Sequence, residues 1–178
     1  MCMACVFLTH LHFDHCGGSV IRENDKLIPA FKNAIYWSHE WHWQQAIYPN
    51  PREKASFLKE NILPIEESGK LKFVHDPRMD WKAENGWTMY PYPLKTKGIS
   101  DNIEVIIVDG HTRCMMLPKI KYNDKTIVFM ADLLPSAGHI PIPYVMAYDM
   151  NPLTTLNEKS SFLTEALEND YILFFEHD

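Results

Sequence analysis

The chain has 178 residues, 46% of them hydrophobic and 22% charged, a balance that suits one soluble domain with a real core. With Lys+Arg 17 against Asp+Glu 23, a net charge of -6 and no basic run, it offers no cationic stripe to a nucleic acid backbone. No apolar stretch is long enough to cross a bilayer and no basic-then-apolar leader opens the chain, so neither a membrane nor export is expected and the cytoplasm is the default compartment.

The first element is the apolar run Cys5-Val6-Phe7-Leu8, read as a strand, and it runs directly into Thr9-His10-Leu11-His12-Phe13-Asp14-His15. In extended chain His10 and His12 point to the same side, because side chains alternate with a period of two. Gly17-Gly18 signals a turn, so Asp14 and His15 can swing toward a second ion beside the first. A single histidine here would by default be an ordinary hydrogen-bonded residue. H-x-H-x-D-H as a unit reads as a metal nest whose nitrogen and carboxylate donors suit zinc, and less selectively iron, manganese or cobalt. Cys2 and Cys5 form a C-x-x-C with no strand before it, and with Cys16 and Cys114 they make no disulfide framework, so reduced thiols are expected.

Beyond the glycines, residues 19–23 read as a short helix broken by Asn24-Asp25-Lys26, and residues 34–37 as an aromatic strand. Ser38 is the expected N-cap of a helix through Ile47, which ends before Pro49-Asn50-Pro51. His39, Trp41, His42 and Trp43 cluster there with Trp37; the histidines are three apart, which excludes the H-E-x-x-H protease helix. The tryptophans fit either an aromatic lid or a core face. Residues 52–61 read as helix and 72–75 as strand. Residues 76–100 are rich in proline and aromatics, including Trp81, Trp87, Tyr90 and Tyr92, and read as irregular loop or short edge strands.

Residues 103–108 are a strand that ends at Asp109-Gly110-His111-Thr112, with a glycine that permits a tight turn before the histidine. Residues 117–122 and 126–131 flank the hairpin signal Asn123-Asp124-Lys125, and the second strand delivers Asp132. An acid straight after buried apolar residues is costly unless a cation meets it. A proline-rich loop over 133–152 holds His139, Tyr144 and Asp149. A helix follows, capped by Asn151 with Pro152 at its first position, and Leu153, Leu156, Leu163 and Leu167 form its expected apolar stripe. Residues 171–175 are a last strand, ending at Glu176-His177-Asp178.

His10, His12, Asp14, His15, His111, Asp132 and His177 thus all stand at strand ends, enough for two metal ions. Their order and chemistry resemble the dinuclear hydrolase branch of the metallo-β-lactamase fold superfamily, through Thr9 to His15, Gly110-His111-Thr112, Ala131-Asp132 and His177. The nearest likeness is to the acyl-homoserine lactonase-like branch, through residues 131–136, 143–149 and the His177-Asp178 ending. The resemblance implies an α/β chain in a four-layer αββα sandwich, lacking its N-terminal strands and slightly shortened at the C-terminus. It implies that His10, His12 and His111 hold one zinc, that Asp14, His15 and His177 hold the other, and that Asp132 bridges them. A departure is that Leu133, Leu134 and Pro135 follow Asp132 where well-studied lactonases have a nearby tyrosine; Tyr144 or Tyr148 would have to substitute.

The implied reaction is attack of a metal-activated water on an ester or lactone, with Asp132 and Asp14 as catalytic carboxylates and Asp14 passing the proton. Phe13, Met115, Met116 and Tyr144 are candidate pocket walls, and His139 is a candidate substrate contact because functional residues concentrate in such loops. His39, His42 and His75 are expected to be structural or exposed. The expected partner is a small-molecule ester or lactone, with a second copy of the chain, as a homodimer, the other partner considered. The same ligand set serves β-lactam, organophosphate, phosphodiester and thioester hydrolysis, and an inactive metal-binding fragment is the alternative of another class.

Overall fold

The structure, a computed structural model, describes residues 4–80 and 94–178. Cys2 and the aromatic run Trp81 to Tyr92 lie outside the described residues. The chain divides into two compact units, Met1–Val74 and His75–Asp178.

The first unit carries a parallel sheet of β1 (Cys5–Phe7), β4 (Ile35–Ser38) and β5 (Leu71–Phe73), in the order β1-β4-β5. Between β1 and β4 come α1 (Phe13–Cys16), a 3-10 turn at Gly17–Ser19 and the antiparallel hairpin of β2 (Val20–Glu23) and β3 (Lys26–Pro29). Between β4 and β5 come α2 (Glu40–Ile47) and α3 (Lys59–Glu67), the crossover that parallel neighbours require. Leu11, Tyr36, Trp43, Phe57, Ile62 and Ile65 are buried together as its core. The Tyr36 hydroxyl accepts from Phe31 N at 2.9 Å and donates to Ser19 O at 3.3 Å, tying the hairpin down.

Three local expectations change here. Residues 20–23 form β2 rather than a helix, because Asn24 and Asp25 take positive φ of 47° and 61°, a hairpin turn that pairs Val20 and Ile21 with β3. The N-cap of α2 is His39, whose ring Nδ1 accepts from Trp41 N at 3.1 Å, while Ser38 is still in β4. Residues 52–56 are turn rather than helix, because the Asn50 side chain accepts from Arg52 N at 2.9 Å and Glu53 N at 3.1 Å; the helix begins at Lys59. Of the tryptophans, Trp43 is core.

The second unit holds a five-stranded sheet in the order β10-β9-β8-β7-β6. Strands β6 (Leu94–Ser100), β7 (Ile103–Val108), β8 (Met115–Tyr122) and β9 (Lys125–Phe129) form an antiparallel meander, with β6 at its edge. The long helix α4 (Pro152–Glu168) then returns the chain to β10 (Ile172–Phe174), parallel to β9. Its N-cap is Asn151, with proline at the first turn, as the sequence suggests.

The expected leucine stripe of α4 is only partly buried: Leu163 packs against the core and Leu156 is half-buried, but Leu153 is 76% and Leu167 86% exposed. Thr155, Glu158, Lys159, Phe162 and Ala166 are its buried residues, a face rotated by roughly a third of a turn. Phe162 joins Ile106, Leu117 and Val128 in the core, while the charged pair beside it binds backbone. Glu158 accepts from Asp109 N at 2.6 Å and Gly110 N at 2.9 Å. The Lys159 ammonium donates to the carbonyls of Pro141 at 3.1 Å, Ile142 at 3.3 Å and Tyr144. Burial pushes the Glu158 carboxyl up to about 7, against the opposing pull of the two backbone donors, and lowers the Lys159 ammonium. The helix face is set by these two loops, not by its leucines.

Candidate metal centre

In the first unit the motif leaves the sheet in register. Leu8 N still donates to Trp37 O at 2.9 Å just past the last strand residue; Leu8 and Leu11 are both buried in the core, and His10 and His12 are buried beside it. Leu11 N donates to His42 Nε2 at 2.8 Å, holding the backbone midway between the two histidines. His12 is the extended N-cap of α1, and its carbonyl accepts from His15 N at 3.0 Å and Cys16 N at 3.1 Å. That turn brings the His15 ring centroid to 4.0 Å and the His12 centroid to 4.7 Å from His10. Asp14, half-exposed on α1, has Oδ2 3.5 Å from His15 Nε2. Cys16 Sγ donates back to Leu11 O at 3.3 Å, and burial followed by the Asp14 charge pushes its thiol up to about 12, so it stays protonated.

In the second unit three strand ends meet on one carboxylate. Asp132 lies in the 3-10 turn Ala131–Leu133 after β9 and is 4% exposed. His111 Nε2 is 3.1 Å from its Oδ2, and His177 Nε2 is 3.2 Å from its Oδ1. His111 Nδ1 is 2.9 Å from Oδ1 of the buried Asp149. Met150 N donates to His111 O at 3.0 Å and Asn151 N to Gly110 O at 2.8 Å, so the chain entering α4 is zipped to the His111 loop and brings Asp149 with it. From the other side Arg78 pairs with Asp76 at 2.7 Å and with Asp109 at 2.8 Å. Burial opposes a charge on His111, but Asp132 and Asp149 outweigh it and lift its pKa to about 9. Two buried carboxylates around one imidazole call for a cation, whether a proton or a metal ion.

Both groups fit divalent metal by their chemistry. Imidazole nitrogens converge with carboxylate oxygens, and His111 has its second nitrogen held by a carboxylate, as metal-binding histidines do.

Neither a family model nor a curated protein matches the sequence. Among solved structures, the chain is similar to a probable metal-dependent hydrolase from Staphylococcus aureus, with a TM-score of 0.79 and 24% identity over 98% of this chain and 55% of that one. It is similar to a dizinc quorum-quenching lactonase in complex with an N-hexanoyl-homoserine product, with a TM-score of 0.67 and 20% identity over 97% of this chain and 56% of that one. A hydrolase of the β-lactamase superfamily matches with a TM-score of 0.66 and 20% identity, over 96% of this chain and 55% of that one. The chain has the metallo-β-lactamase fold. It spans about half the length of these structures.

Within this metallo-β-lactamase fold the expected residues divide clearly. His10, His12 and His15 converge in the first unit, with Asp14 beside His15; His111, Asp132 and His177 converge in the second. Phe13 is 51% and Tyr144 60% exposed, and His139 Nδ1 pairs with Ser136 Oγ at 2.9 Å. Met115 and Met116 have no exposed surface, and Met115 packs in the core of the second unit, so it is filling rather than wall. His39 and His42 are buried and hold backbone amides, as structural histidines do. Asp149, Glu53 and Glu158 are the supporting residues that sequence reasoning missed, while His42, expected to be structural or exposed, is structural. Only Asp149 carried a local signal, standing just before the Asn151-Pro152 helix start.

Proposed function

We propose that this chain is a metal-dependent hydrolase that uses two zinc ions to open an ester or lactone. The observation that carries the reading is Asp132, whose two oxygens each face a different histidine, His111 and His177, the arrangement of a bridging carboxylate. The ligand sets proposed are those the resemblance implies: His10, His12 and His111 for one ion, and Asp14, His15 and His177 for the other. Zinc is assigned from the nitrogen-rich donors, and iron, manganese or cobalt are the alternatives that metal analysis separates.

Two ions bound there would supply a water of lowered pKa and a Lewis acid for the carbonyl. The chain's own residues do the rest. Asp149 fixes the His111 ring so that Nε2 faces Asp132. Asp14, whose side chain is half-exposed, is the carboxylate assigned to take a proton from the attacking water and return it to the leaving alcohol. Phe13, Tyr144 and His139 are the side chains assigned to meet the substrate, all three with exposed surface. The lactonase with its homoserine product supports the ester and lactone class.

The test is metal analysis of purified protein joined to a panel of lactones, β-lactams, phosphodiesters and thioesters. About two zinc per chain with lactone turnover is expected. Asp132→Ala should halve metal uptake or worse and abolish turnover. Activity confined to phosphodiesters would sink the ester reading, and full metal loading without turnover would point to the inactive fragment.

A further inference from the structure

The turn that replaces the expected helix over 52–56 is built around a buried acid. Glu53 is 4% exposed. Asn50 folds the turn through Arg52 N and Glu53 N, Ser56 N donates to Glu53 O at 2.8 Å, and Ser56 O accepts from Phe13 N at 2.9 Å. The turn is thereby fastened to the residue that follows His12. Oε2 of Glu53 accepts from Gln45 Nε2 at 2.6 Å and from Asn50 Nδ2. Both donors are neutral and both use the same oxygen. The other oxygen, Oε1, lies 3.7 Å from His12 Nε2. Phe57 packs beside the His12 ring with centroids 4.9 Å apart.

Burying a carboxylate is costly unless hydrogen-bonded or cationic partners offset it, and the His12 ring, 3.7 Å from Oε1, is a neighbour that can supply an N–H. We propose that Glu53 is a positioning residue for His12: it holds the ring with Nε2–H toward Oε1 and leaves Nδ1 as the metal-donor atom. Which imidazole nitrogen binds metal is set by the bond the other makes, and a carboxylate in that place raises the ligand's basicity. The 3.7 Å separation is longer than a hydrogen bond, as such contacts often are before a ligand draws the groups together. The inference rests on the metal reading of His12, not on the substrate.

The experiment uses the full chain without metal. Nitrogen-15 NMR of the histidine rings reads the His12 tautomer, and competition with a zinc chelator reads affinity. The expected result is an Nε2–H tautomer in the parent. Glu53→Gln should give a mixed or reversed tautomer and bind zinc about 10–100-fold more weakly. Glu53→Asp, which keeps the charge but shortens its reach, should fall between them and serves if Glu53→Gln does not fold. An Nδ1–H tautomer in the parent, or a tautomer and zinc affinity unchanged in both variants, would overturn the proposal. Absence of turnover in the zinc-loaded parent would sink the hydrolase reading while leaving the tautomer result standing.

Discussion

The two groups of candidate ligands are assembled by opposite means. His10, His12 and His15 come from one strand exit and one helical turn, so their approach is set by local backbone geometry. His111, Asp132 and His177 come from the ends of β7, β9 and β10, so theirs is set by sheet register and by the loops that α4 holds. A contiguous group tolerates change in distant elements but depends on the few buried side chains that pin its backbone. A dispersed group depends on every connection between its members, because a shift in any one moves a single ligand out of place.

The largest expected break is Gly110→Ala. A Cβ there would meet Thr155 Oγ1 at 2.3 Å, the Thr155 backbone nitrogen at 2.5 Å and Glu158 Oε2 at 2.7 Å. The backbone atom cannot rotate away, so the His111 loop must leave α4. Urea unfolding should show a loss of about 3 kcal/mol, with the His111 ring signals displaced. An unchanged midpoint would mean that α4 does not hold this loop.

A smaller effect tests the same anchor through pH. The Glu158 carboxyl has a folded-state pKa of about 7, above the ordinary 4.5. The folded chain therefore keeps a proton that the unfolded chain has released. The stability this gives is full below pH 4.5 and is lost as pH rises through 7, by roughly 1–3 kcal/mol. Urea midpoints measured across that window should fall in the parent and stay flatter in Glu158→Gln; parallel profiles would refute the assignment.

The smallest effect sharpens the contrast from the contiguous side. His42→Leu removes the acceptor of the buried Leu11 N and should cost about 1–2 kcal/mol. Because Leu11 lies between His10 and His12, zinc affinity should fall with it, whereas a pure packing role would change stability alone.

The sequence by itself determined the strand over 103–108, the hairpin turn at Asn123 and the start of α4 at Asn151-Pro152, and it supplied the candidate donors. Period-two alternation, turn residues and a proline at a helix start act over a few neighbours, so they can be read without the fold. The same logic failed where two local readings competed: Asn24-Asp25 is a hairpin turn, and the Asn50 side chain takes the amides that a helix over 52–61 would need. Only the tertiary structure decided which face of α4 is buried, and that Glu53, His42, Asp149 and Glu158 support the candidate ligands. The physical reason is that a charge or imidazole is worth burying only against a particular partner, and those partners lie far along the chain: His42 for Leu11, Asp149 for His111, Glu158 for Gly110. An exposed leucine forfeits about 1.5–3 kcal/mol of burial, yet α4 turned Glu158 and Lys159 toward their backbone partners and left Leu153 and Leu167 in water, with Leu163 still packed against the core.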